Sequence, residues 1–372
     1  MTIGVLKESS PETRVSILPE HIATFKKWNV SVLVEDGAGA TAFAGNEAYT
    51  AAGAVIKSRN EVLQTSDIIL SINPISQDEI TGLKSKIALG VFQPLYNTGL
   101  IKDFAANNVT VFSMDMLPRT TRAQSMDVLS SQANIAGYKA VLMAAGLYPK
   151  YFPMFMTAAG SVPPAKMLIL GAGVAGLQAI ATAKRLGAVV EVFDTRPAVK
   201  EEVQSLGAKF VEVEGAADAS KAGGYAVEQT AEFMQRQKAK IAESVAKADV
   251  VITTAQIPGK KAPILITSEM IAAMKPGSVI IDIAAATGGN TEQTKNDATV
   301  VYNGVSIVGN SSLAGAMPSD ASKLYGKNVL NFLQLIITKE GALNLNFEDD
   351  LVKGTCVVHN GEVTNERVKA LL

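Results

Sequence analysis

The sequence is poor in the residue types that build disulfides and metal sites. Its 372 residues include one cysteine, Cys356, and two histidines, His21 and His359. A single cysteine excludes an internal disulfide framework and any cysteine-based metal cage, and it suits a reducing cytoplasm. Two histidines also leave a histidine-rich metal site without enough ligands. We therefore expect no metal site.

Charge and long apolar runs are scarce as well. Charged residues make up 19% of the chain and the net charge is −1, so nothing favours nucleic acid as a partner. No apolar run reaches the ~20 residues of a membrane span. Lys7 and Glu8 also interrupt the N-terminus where a signal peptide would need its apolar core. We expect a cytoplasmic protein with no membrane span of its own.

Strand-like apolar runs alternate with helical patterns over residues 1–118 and again over residues 166–309. This alternation predicts parallel sheets covered by helices, and the chain is long enough for two such cores. The predicted fold class is α/β, with two doubly wound Rossmann-like domains, a cleft between them and long helices joining them. Those helices are expected over residues 119–147, capped near Thr121, and 318–339. Residues 148–164 are expected to form a loop.

A glycine motif lies between a strand and a helix in the second of these regions. Residues 167–170 form an apolar run, and the sequence then reads Gly171-Ala-Gly173-Val-Ala-Gly176 before a helical pattern. The first glycine permits a tight turn, the second lets backbone approach a pyrophosphate, and the third allows close packing of helix on strand. The N-terminus of the helix attracts phosphate. The motif predicts a dinucleotide site, although a turn that binds nothing remains open.

An acidic residue follows the glycine motif at the spacing that the dinucleotide fingerprint requires. Residues 189–193 form a second strand that ends at Asp194, about 20 residues beyond the glycines. A carboxylate there accepts hydrogen bonds from a ribose and repels a 2′-phosphate. We therefore expect NAD to be preferred over NADP, with Arg196 as the feature that works against this preference.

Polar residues crowd the beginning of the first long helix. They are Arg119, Arg122, Gln124, Asp127 and Ser130. The last three are spaced three apart, so they are expected to share one helical face. An ordinary solvated first turn, with an acidic residue that favours the helix dipole, would explain the cluster. The functional alternative is that Arg, Gln and Asp hold a carboxamide across a cleft from the glycine turn.

Four segments together resemble a known family. They are Pro118-Arg-Thr-Thr-Arg-Ala-Gln-Ser-Met-Asp127 with the helix that follows, the glycine motif, Gly223-Gly-Tyr-Ala226 and Ile257-Pro-Gly-Lys260. They are similar to the NAD(H)-binding component, called domain I or the alpha subunit, of proton-translocating NAD(P) transhydrogenase. This component belongs with alanine dehydrogenase in one family. The resemblance covers nearly the whole chain and implies a discontinuous first domain, residues 1–125 with 328–372, and an NAD(H)-binding domain, residues 126–327.

The resemblance also implies roles for individual residues. Those expected around the nicotinamide, as the catalytic set, are Arg119, Gln124, Asp127, Ser130 and Tyr225. Tyr225 is expected on a loop over residues 214–228 that becomes ordered when NADH binds. The full set of expected NAD(H)-binding residues is Arg119, Arg122, Gln124, Asp127, Ser130, Gly171, Gly173, Val174, Ala175, Gly176, Asp194, Thr195, Arg196, Gly224, Tyr225, Gln237 and Gln256. Position 256 departs from the aliphatic residue usual in the family.

The implied activity needs other chains. The resemblance implies hydride transfer between NAD(H) on this chain and NADP(H) on a partner subunit, coupled to proton translocation by membrane-spanning subunits. It also implies a homodimer that is held peripherally at the inner face of the membrane by these partners. The chain would be active only beside them.

Two alternatives remain open at this stage. An alanine dehydrogenase-like enzyme would need a lysine in the segment that here contains Asn73 and a histidine in the segment that contains Gln93, and both are missing. Reduction of an imine or a carbonyl requires a placed proton donor, whereas hydride exchange between two nicotinamides does not. The third possibility is an NAD-binding module without activity that regulates a partner.

Overall fold

The computed structural model describes residues 1–213 and 230–372. The chain divides into two compact units, Met1–Gln132 with Gly315–Leu372, and Ala133–Ala314. Within the described residues, no helix has both the length and the apolar character that a membrane span needs.

The first unit begins with alternating strands and helices. Its elements are β1 (Thr2–Val5), α1 (Pro19–Lys27), β2 (Ser31–Glu35), α2 (Asn46–Ala52), β3 (Val55–Lys57), α3 (Arg59–Thr65), β4 (Ile68–Leu70), α4 (Gln77–Ile80), β5 (Ile87–Gly90), α5 (Thr98–Ala106) and β6 (Thr110–Ser113). Capping chemistry is visible at α3, where the Ser58 hydroxyl accepts the Glu61 N–H and the Glu61 carboxylate accepts the Ser58 N–H.

The second unit repeats this alternation. Its elements are α6 (Val128–Leu147), β7 (Phe155–Thr157), β8 (Gly160–Val162), β9 (Lys166–Leu170), α7 (Val174–Arg185), β10 (Val189–Phe193), α8 (Lys200–Ser205), β11 (Lys209–Phe210), α9 (Ala231–Lys247), β12 (Val250–Thr253), α10 (Ser268–Ala272), β13 (Val279–Asp282), β14 (Ala298–Tyr302) and β15 (Val305–Gly309). The first residues of α6 belong to the first unit.

The C-terminal segment returns to the first unit. It contains α11 (Pro318–Ile336), α12 (Asp350–Thr355), β16 (Cys356–His359), β17 (Glu362–Val363) and α13 (Glu366–Lys369). In the first sheet the strand order is β17-β16-β6-β5-β4-β1-β2-β3. Strands β1 to β6 are parallel, while β16 and β17 add antiparallel at one edge.

The second unit contains the sheet that carries the glycine motif. Its strand order is β11-β10-β9-β12-β13-β15-β14, parallel except for β14. Along β9, Met167 and Ile169 pack into one buried core and Leu168 and Leu170 into the other. Both faces of the strand are therefore covered, which explains its uninterrupted apolar sequence. The order reverses between β9 and β12, the place where doubly wound sheets bind ligands.

Two predicted elements differ from the structure. The continuous helix expected over residues 119–147 is wrong, because a 3₁₀ turn over Thr121–Met126 precedes α6 and Asp127 between them is extended. The region 148–164, expected to be a loop, contains an antiparallel hairpin formed by β7 and β8. Its Pro and Gly content suggested irregular structure, but Ala158 and Ala159 form a two-residue connection between the paired residues Thr157 and Gly160, a length typical of hairpins.

Candidate functional site

The glycine motif forms a tight connection between β9 and α7. Gly171 has a φ of +107°, a conformation that side chains rarely adopt. A Cβ on Gly171 would lie 2.3 Å from the Thr254 hydroxyl oxygen, and a Cβ on Gly176 would lie 1.9 Å from the Gly171 carbonyl oxygen. The first and third glycines are therefore required by the fold itself.

Gly173 is different, because nothing in its own fold requires a glycine there. Its φ of −77° and ψ of −171° are extended values that any residue adopts. A Cβ on Gly173 would have no heavy atom within 4 Å in the described structure. Gly173 precedes the first turn of α7, and within the described part of the chain no side chain caps this helix. The N–H groups of that turn lack intrahelical partners and attract anions.

Asp194 is bonded to the glycine turn. One of its carboxylate oxygens, Oδ2, accepts the Ala172 N–H at 2.7 Å, and its side chain is only 6% exposed. The Gly171 N–H also donates to the carbonyl of Phe193 at 2.8 Å. The glycine turn and the end of β10 thus hold each other, which places the carboxylate beside the turn as the dinucleotide fingerprint requires.

Arg196 pairs with the same carboxylate. Its Nε lies 2.9 Å from Asp194 Oδ1 and a terminal nitrogen lies 2.8 Å from Oδ2. Hydrogen bonding to Asp194 raises the pKa of Arg196. The guanidinium and the carboxylate largely offset each other's charge, and Thr195, half-buried, lies between them in sequence. The expected preference for NAD over NADP therefore involves both side chains and remains a prediction.

Thr254 is a contact that the sequence analysis missed. It follows β12, and its hydroxyl lies 3.2 Å from the Gly171 carbonyl oxygen and 3.3 Å from the Leu170 carbonyl oxygen. The neighbouring Gln256 is exposed, and its amide donates to the Ile283 carbonyl at 3.4 Å. Position 256 therefore lies near the ends of β12 and β13, at the same edge of the sheet as the glycine turn.

The polar cluster lies in the first unit, and its centre is a helix cap. Asp127 Oδ1 accepts the Ser130 N–H at 2.9 Å, and Oδ2 accepts the Ser130 hydroxyl at 2.6 Å. Asp127 therefore caps α6, which is the ordinary role that the sequence left open. Gln124 and Arg119 are exposed. Because Gln124 lies in the 3₁₀ turn, the expected shared helical face does not form.

Arg122 points to a different partner. Its terminal nitrogens donate to the two carboxylate oxygens of Asp349 at 2.7 and 2.6 Å, and it also pairs with Asp350. These hydrogen bonds raise the pKa of Arg122, and those to Asp349 have the larger effect. Its side chain thus links the 3₁₀ turn to the start of α12. A role in NAD(H) binding remains a prediction.

The remaining predicted residues are distributed as follows. Val174 is exposed, while Ala175 and Gly176 are buried at the start of α7. Gln237 is half-buried on α9. Gly224 and Tyr225, with the loop expected over 214–228, lie outside the described residues. Among the described residues, no group of three or more His, Cys, Asp or Glu side chains could hold a metal ion.

Two family models match the chain and together cover almost all of it. Residues 4–136 match the alanine dehydrogenase/PNT N-terminal domain, and residues 140–366 match the alanine dehydrogenase/PNT C-terminal domain. The chain belongs to this family. The match includes both the glycine turn and the polar cluster.

Individual relatives are closer to one branch of the family. The first part of NAD(P) transhydrogenase subunit alpha from Rhodospirillum rubrum is 45% identical over 98% of both chains. NAD(P) transhydrogenase subunit alpha of Haemophilus influenzae is 44% identical over 97% of this chain and 71% of its own length. Alanine dehydrogenase of Staphylococcus saprophyticus is 27% identical over 100% of this chain and 97% of its own length.

Solved structures agree with this ordering. The transhydrogenase from Sinorhizobium meliloti superposes with a TM-score of 0.89 at 45% identity, covering 98% of this chain and 100% of that one. An L-alanine dehydrogenase superposes with a TM-score of 0.81 at 22% identity, which shows a shared fold. The predicted α/β class with two Rossmann-like units and the predicted family are confirmed.

Proposed function

We propose that this chain binds NAD(H) at the glycine turn of its second unit and exchanges hydride with NADP(H) bound to a partner subunit. The observation that carries the proposal is the Asp194 carboxylate held by the Ala172 N–H beside a glycine that its own fold does not require. A turn that only connected β9 to α7 would not need Gly173. A pyrophosphate needs bare backbone at that position.

Gly173 gives the sharpest test of the binding site. Gly173→Ala should leave the thermal midpoint unchanged and weaken NADH binding about tenfold or more, because the added methyl group meets the ligand and not the protein. Gly45→Ala is a matched control, since Gly45 also precedes a helix with a φ of −77° and has open space around its Cβ. Equal NADH affinity in wild type and Gly173→Ala would contradict binding at this turn.

Hydride transfer to a partner-bound NADP+ is supported by what the site contains. A transfer between two nicotinamides requires no proton from the protein at the reacting carbon, so orientation can supply most of the rate. In the first unit, Arg119, Gln124, Asp127 and Ser130 are the proposed residues around the nicotinamide ring. Gln124 is exposed there, so a ligand can reach its carboxamide.

The test of activity mixes the purified chain with NADH and an NADP+ analogue, with and without an NADP(H)-binding transhydrogenase component. We expect transfer only in the complete mixture. Comparable rates without the component would contradict the need for a partner. Tight NADH binding with no transfer even in the complete mixture would favour a regulatory module that lacks activity.

An amino-acid dehydrogenase is the second candidate, because the family includes alanine dehydrogenases. In the two segments where that activity needs a lysine and a histidine, this chain has neither residue, and the segments contain Asn73 and Gln93. The Asn73 amide donates to Glu8 at 3.1 Å and to Glu12 at 3.2 Å. A neutral amide held in this way does not release a proton to a substrate. NADH oxidation with pyruvate and ammonia by the chain alone would favour this candidate instead.

The proposal includes the assembly in which the chain would work. Proton translocation belongs to membrane-spanning partner subunits, and the chain would be held through them at the cytoplasmic face of the membrane. Subunit names among the 45% identical relatives support such partners. Co-purification of the tagged chain with membrane proteins, lost after deletion of those proteins, tests this step.

We include a homodimer in the proposal, with the β7-β8 hairpin as its contact surface. The exposed fractions of apolar side chains on and before this hairpin are 76% for Met156, 62% for Met154, 58% for Tyr151 and 44% for Phe155. The Tyr151 and Phe155 rings also contact each other in a tilted arrangement, with centroids 4.6 Å apart. A two-stranded ribbon outside a larger sheet is marginal by itself, so a second copy of the chain would stabilise it.

A further inference from the structure

A buried polar relay joins the end of β13 to the glycine turn of the second unit. It runs from Asp282 through Asn290, Ala255 and Thr254 to Gly171. Both Asp282 and Asn290 have 0% exposure. Buried polar groups that water does not reach must find their hydrogen-bond partners in the protein, and losing one partner leaves the other unpaired at a substantial cost in stability. Each hydrogen bond in the relay therefore constrains the relative positions of the residues that it joins.

Asp282 holds the loop that follows β13. Its Oδ1 accepts the Ala284 N–H at 3.0 Å, and its Oδ2 accepts the Asn290 N–H at 2.6 Å and the Thr294 hydroxyl at 2.6 Å. These three contacts come from the beginning of the loop, its end and the segment beyond it. The carboxylate therefore closes the loop and sets the position from which the Asn290 side chain projects.

Asn290 in turn holds the residue that follows Thr254. Its Oδ1 accepts the Ala255 N–H at 3.0 Å, and its Nδ2 donates to the carbonyls of Ala255 at 2.9 Å and Pro263 at 2.8 Å. One carboxamide thus fixes the N–H and the C=O of the same residue. Thr254 completes the relay through its hydroxyl, 3.2 Å from the Gly171 carbonyl oxygen.

In the proposed NAD(H) site, the relay would lie in the half of the sheet that binds the nicotinamide mononucleotide, not the adenosine. In a doubly wound dinucleotide fold each half of the sheet holds one mononucleotide. Asp194 follows β10 in the first half, whereas residues 254–256 and 283–290 follow β12 and β13 in the second half. A displaced Ala255 peptide would therefore move backbone and the Gln256 side chain on the nicotinamide side.

We propose that Asp282 and Asn290 are positioning residues for the nicotinamide half of the NAD(H) site. They hold the segment 254–256 against the glycine turn, so that the ring is presented in one orientation. Neither side chain touches the nucleotide itself. The inference rests on the proposed NAD(H) site, and the following experiment separates the two.

The experiment compares the affinities for NADH and for ADP-ribose, which lacks the nicotinamide. Asn290→Asp removes the Nδ2 donor, and Thr254→Val removes the hydroxyl without a change in shape. We expect Asn290→Asp to weaken NADH binding at least tenfold while ADP-ribose affinity changes less than threefold, with a smaller shift in the same direction for Thr254→Val. Hydrogen exchange of the segment 254–263 should accelerate in Asn290→Asp.

Asp249→Asn is the matched control. Asp249 is also buried and immediately precedes β12, at the opposite end of that strand from Thr254, where it accepts the Lys166 N–H at 2.9 Å and Lys275 at 3.2 Å. This variant should lower the stability of the protein but leave the ratio of its affinities for NADH and ADP-ribose unchanged. Equal weakening of both ligands in Asn290→Asp, or unchanged exchange of segment 254–263, would overturn the positioning role. A wild-type chain that binds neither ligand would overturn the proposed function, and this inference with it.

Discussion

Ala172 and Asp194 are joined by a 2.7 Å hydrogen bond from the Ala172 N–H to the carboxylate. The contact spans two strands, because Ala172 follows β9 and Asp194 follows β10. It occupies one carboxylate oxygen, while Arg196 contacts both. A ribose that binds Asp194 must therefore share the carboxylate with Arg196 or displace it. At the proposed NAD(H) site, the preference between NADH and NADPH would depend on this competition.

Asp194→Ala should narrow the preference for NADH over NADPH about tenfold, or ~1.4 kcal/mol. The variant removes the repulsion of a 2′-phosphate and frees Arg196, whose guanidinium suits a phosphate. Titration of both nucleotides by fluorescence measures the change. Glu191→Gln on the same strand, which loses only the surface contact of Glu191 with Lys209, should leave the preference as it is. Equal affinities for NADH and NADPH in the wild type would contradict the assumption that Asp194 makes the protein prefer NADH.

Gln124→Asn should slow hydride transfer roughly tenfold or more, about 1.4 kcal/mol, with little change in NADH affinity. Shortening the side chain misplaces the nicotinamide, while the adenosine half continues to supply most of the binding. Stability should not change, because Gln124 is exposed. Gln204→Asn, an exposed glutamine on α8, is the control. An unchanged single-turnover rate would remove Gln124 from the site.

Asp127 separates structural from functional effects in the same cluster. Asp127→Ala loses the cap of α6 and should cost about 1 kcal/mol of unfolding free energy. Asp127→Asn keeps an oxygen for the Ser130 N–H and should recover most of that stability. If Asp127→Asn recovers stability but transfer remains slow, the carboxylate acts on the nucleotide as well as on the helix. Full recovery of both would restrict Asp127 to capping.

Much of the fold follows from local sequence patterns. Alternation of strands and helices predicted both sheets, because a strand buried on two faces is apolar throughout. The predicted boundaries at 125/126 and 327/328 differ from the compact units, which divide at 132/133 and 314/315. The Gln132 amide donates to the Ala321 carbonyl at 3.0 Å, and Asn328 donates to the Ser125 carbonyl at 2.8 Å. Contacts of this kind join residues that are far apart in the sequence, and they determine where the two compact units divide. They produce no local sequence pattern from which the boundary could be predicted.

The same limit applies to the site. The glycine turn and Asp194 are close in sequence and follow a known spacing, so both could be predicted. The partners Ala255 and Asn290 are 35 residues apart, and nothing in composition or periodicity connects them. A sequence feature that could have drawn attention to Asp282 is the resemblance between the strand ends Val-Phe-Asp194 and Ile-Ile-Asp282. The break at Asp127 was also missed, since helix formers continue through it.

Glu12 should make the first unit sensitive to acid. Burial works to raise its pKa, but the hydrogen bonds and charge of Arg14 outweigh burial and lower the pKa from 4.5 to about 2. A lowered pKa in the folded state contributes stability above pH 4.5 and loses it as the pH falls toward 2. The unfolding free energy of wild type relative to Glu12→Gln should therefore fall by up to about 3 kcal/mol over this range.

Denaturant titrations at several pH values test this difference. Burial raises the pKa of the neighbouring Glu8, and the charge of Glu12 raises it further. The Glu8 contribution therefore has the opposite sign, and comparison with Glu12→Gln removes only the part that does not depend on the Glu12 charge. Glu61 is a useful contrast, because its pKa is also lowered to about 2, first by its hydrogen bond to Lys57, but its carboxylate faces solvent. Glu61→Gln should show a much smaller pH dependence. A stability difference between wild type and Glu12→Gln that stays constant from pH 5 to pH 2 would contradict the Glu12–Arg14 account.

The hairpin prediction concerns assembly. Met156→Glu combined with Phe155→Ser should weaken self-association roughly a hundredfold or more, because each protomer loses two apolar contacts worth about 1.5–3 kcal/mol apiece. Light scattering after size exclusion should then give the 39.0 kDa mass of one chain in place of twice that mass. Val301→Glu, on β14 with 67% exposure, should remain dimeric.

Thermal midpoints extrapolated to low protein concentration should agree among the wild type, the double variant and Val301→Glu, since the hairpin contributes little to either core. A dimer that persists in the double variant would place the self-association surface elsewhere, and a wild-type chain that is monomeric at micromolar concentration would remove the homodimer from the proposal.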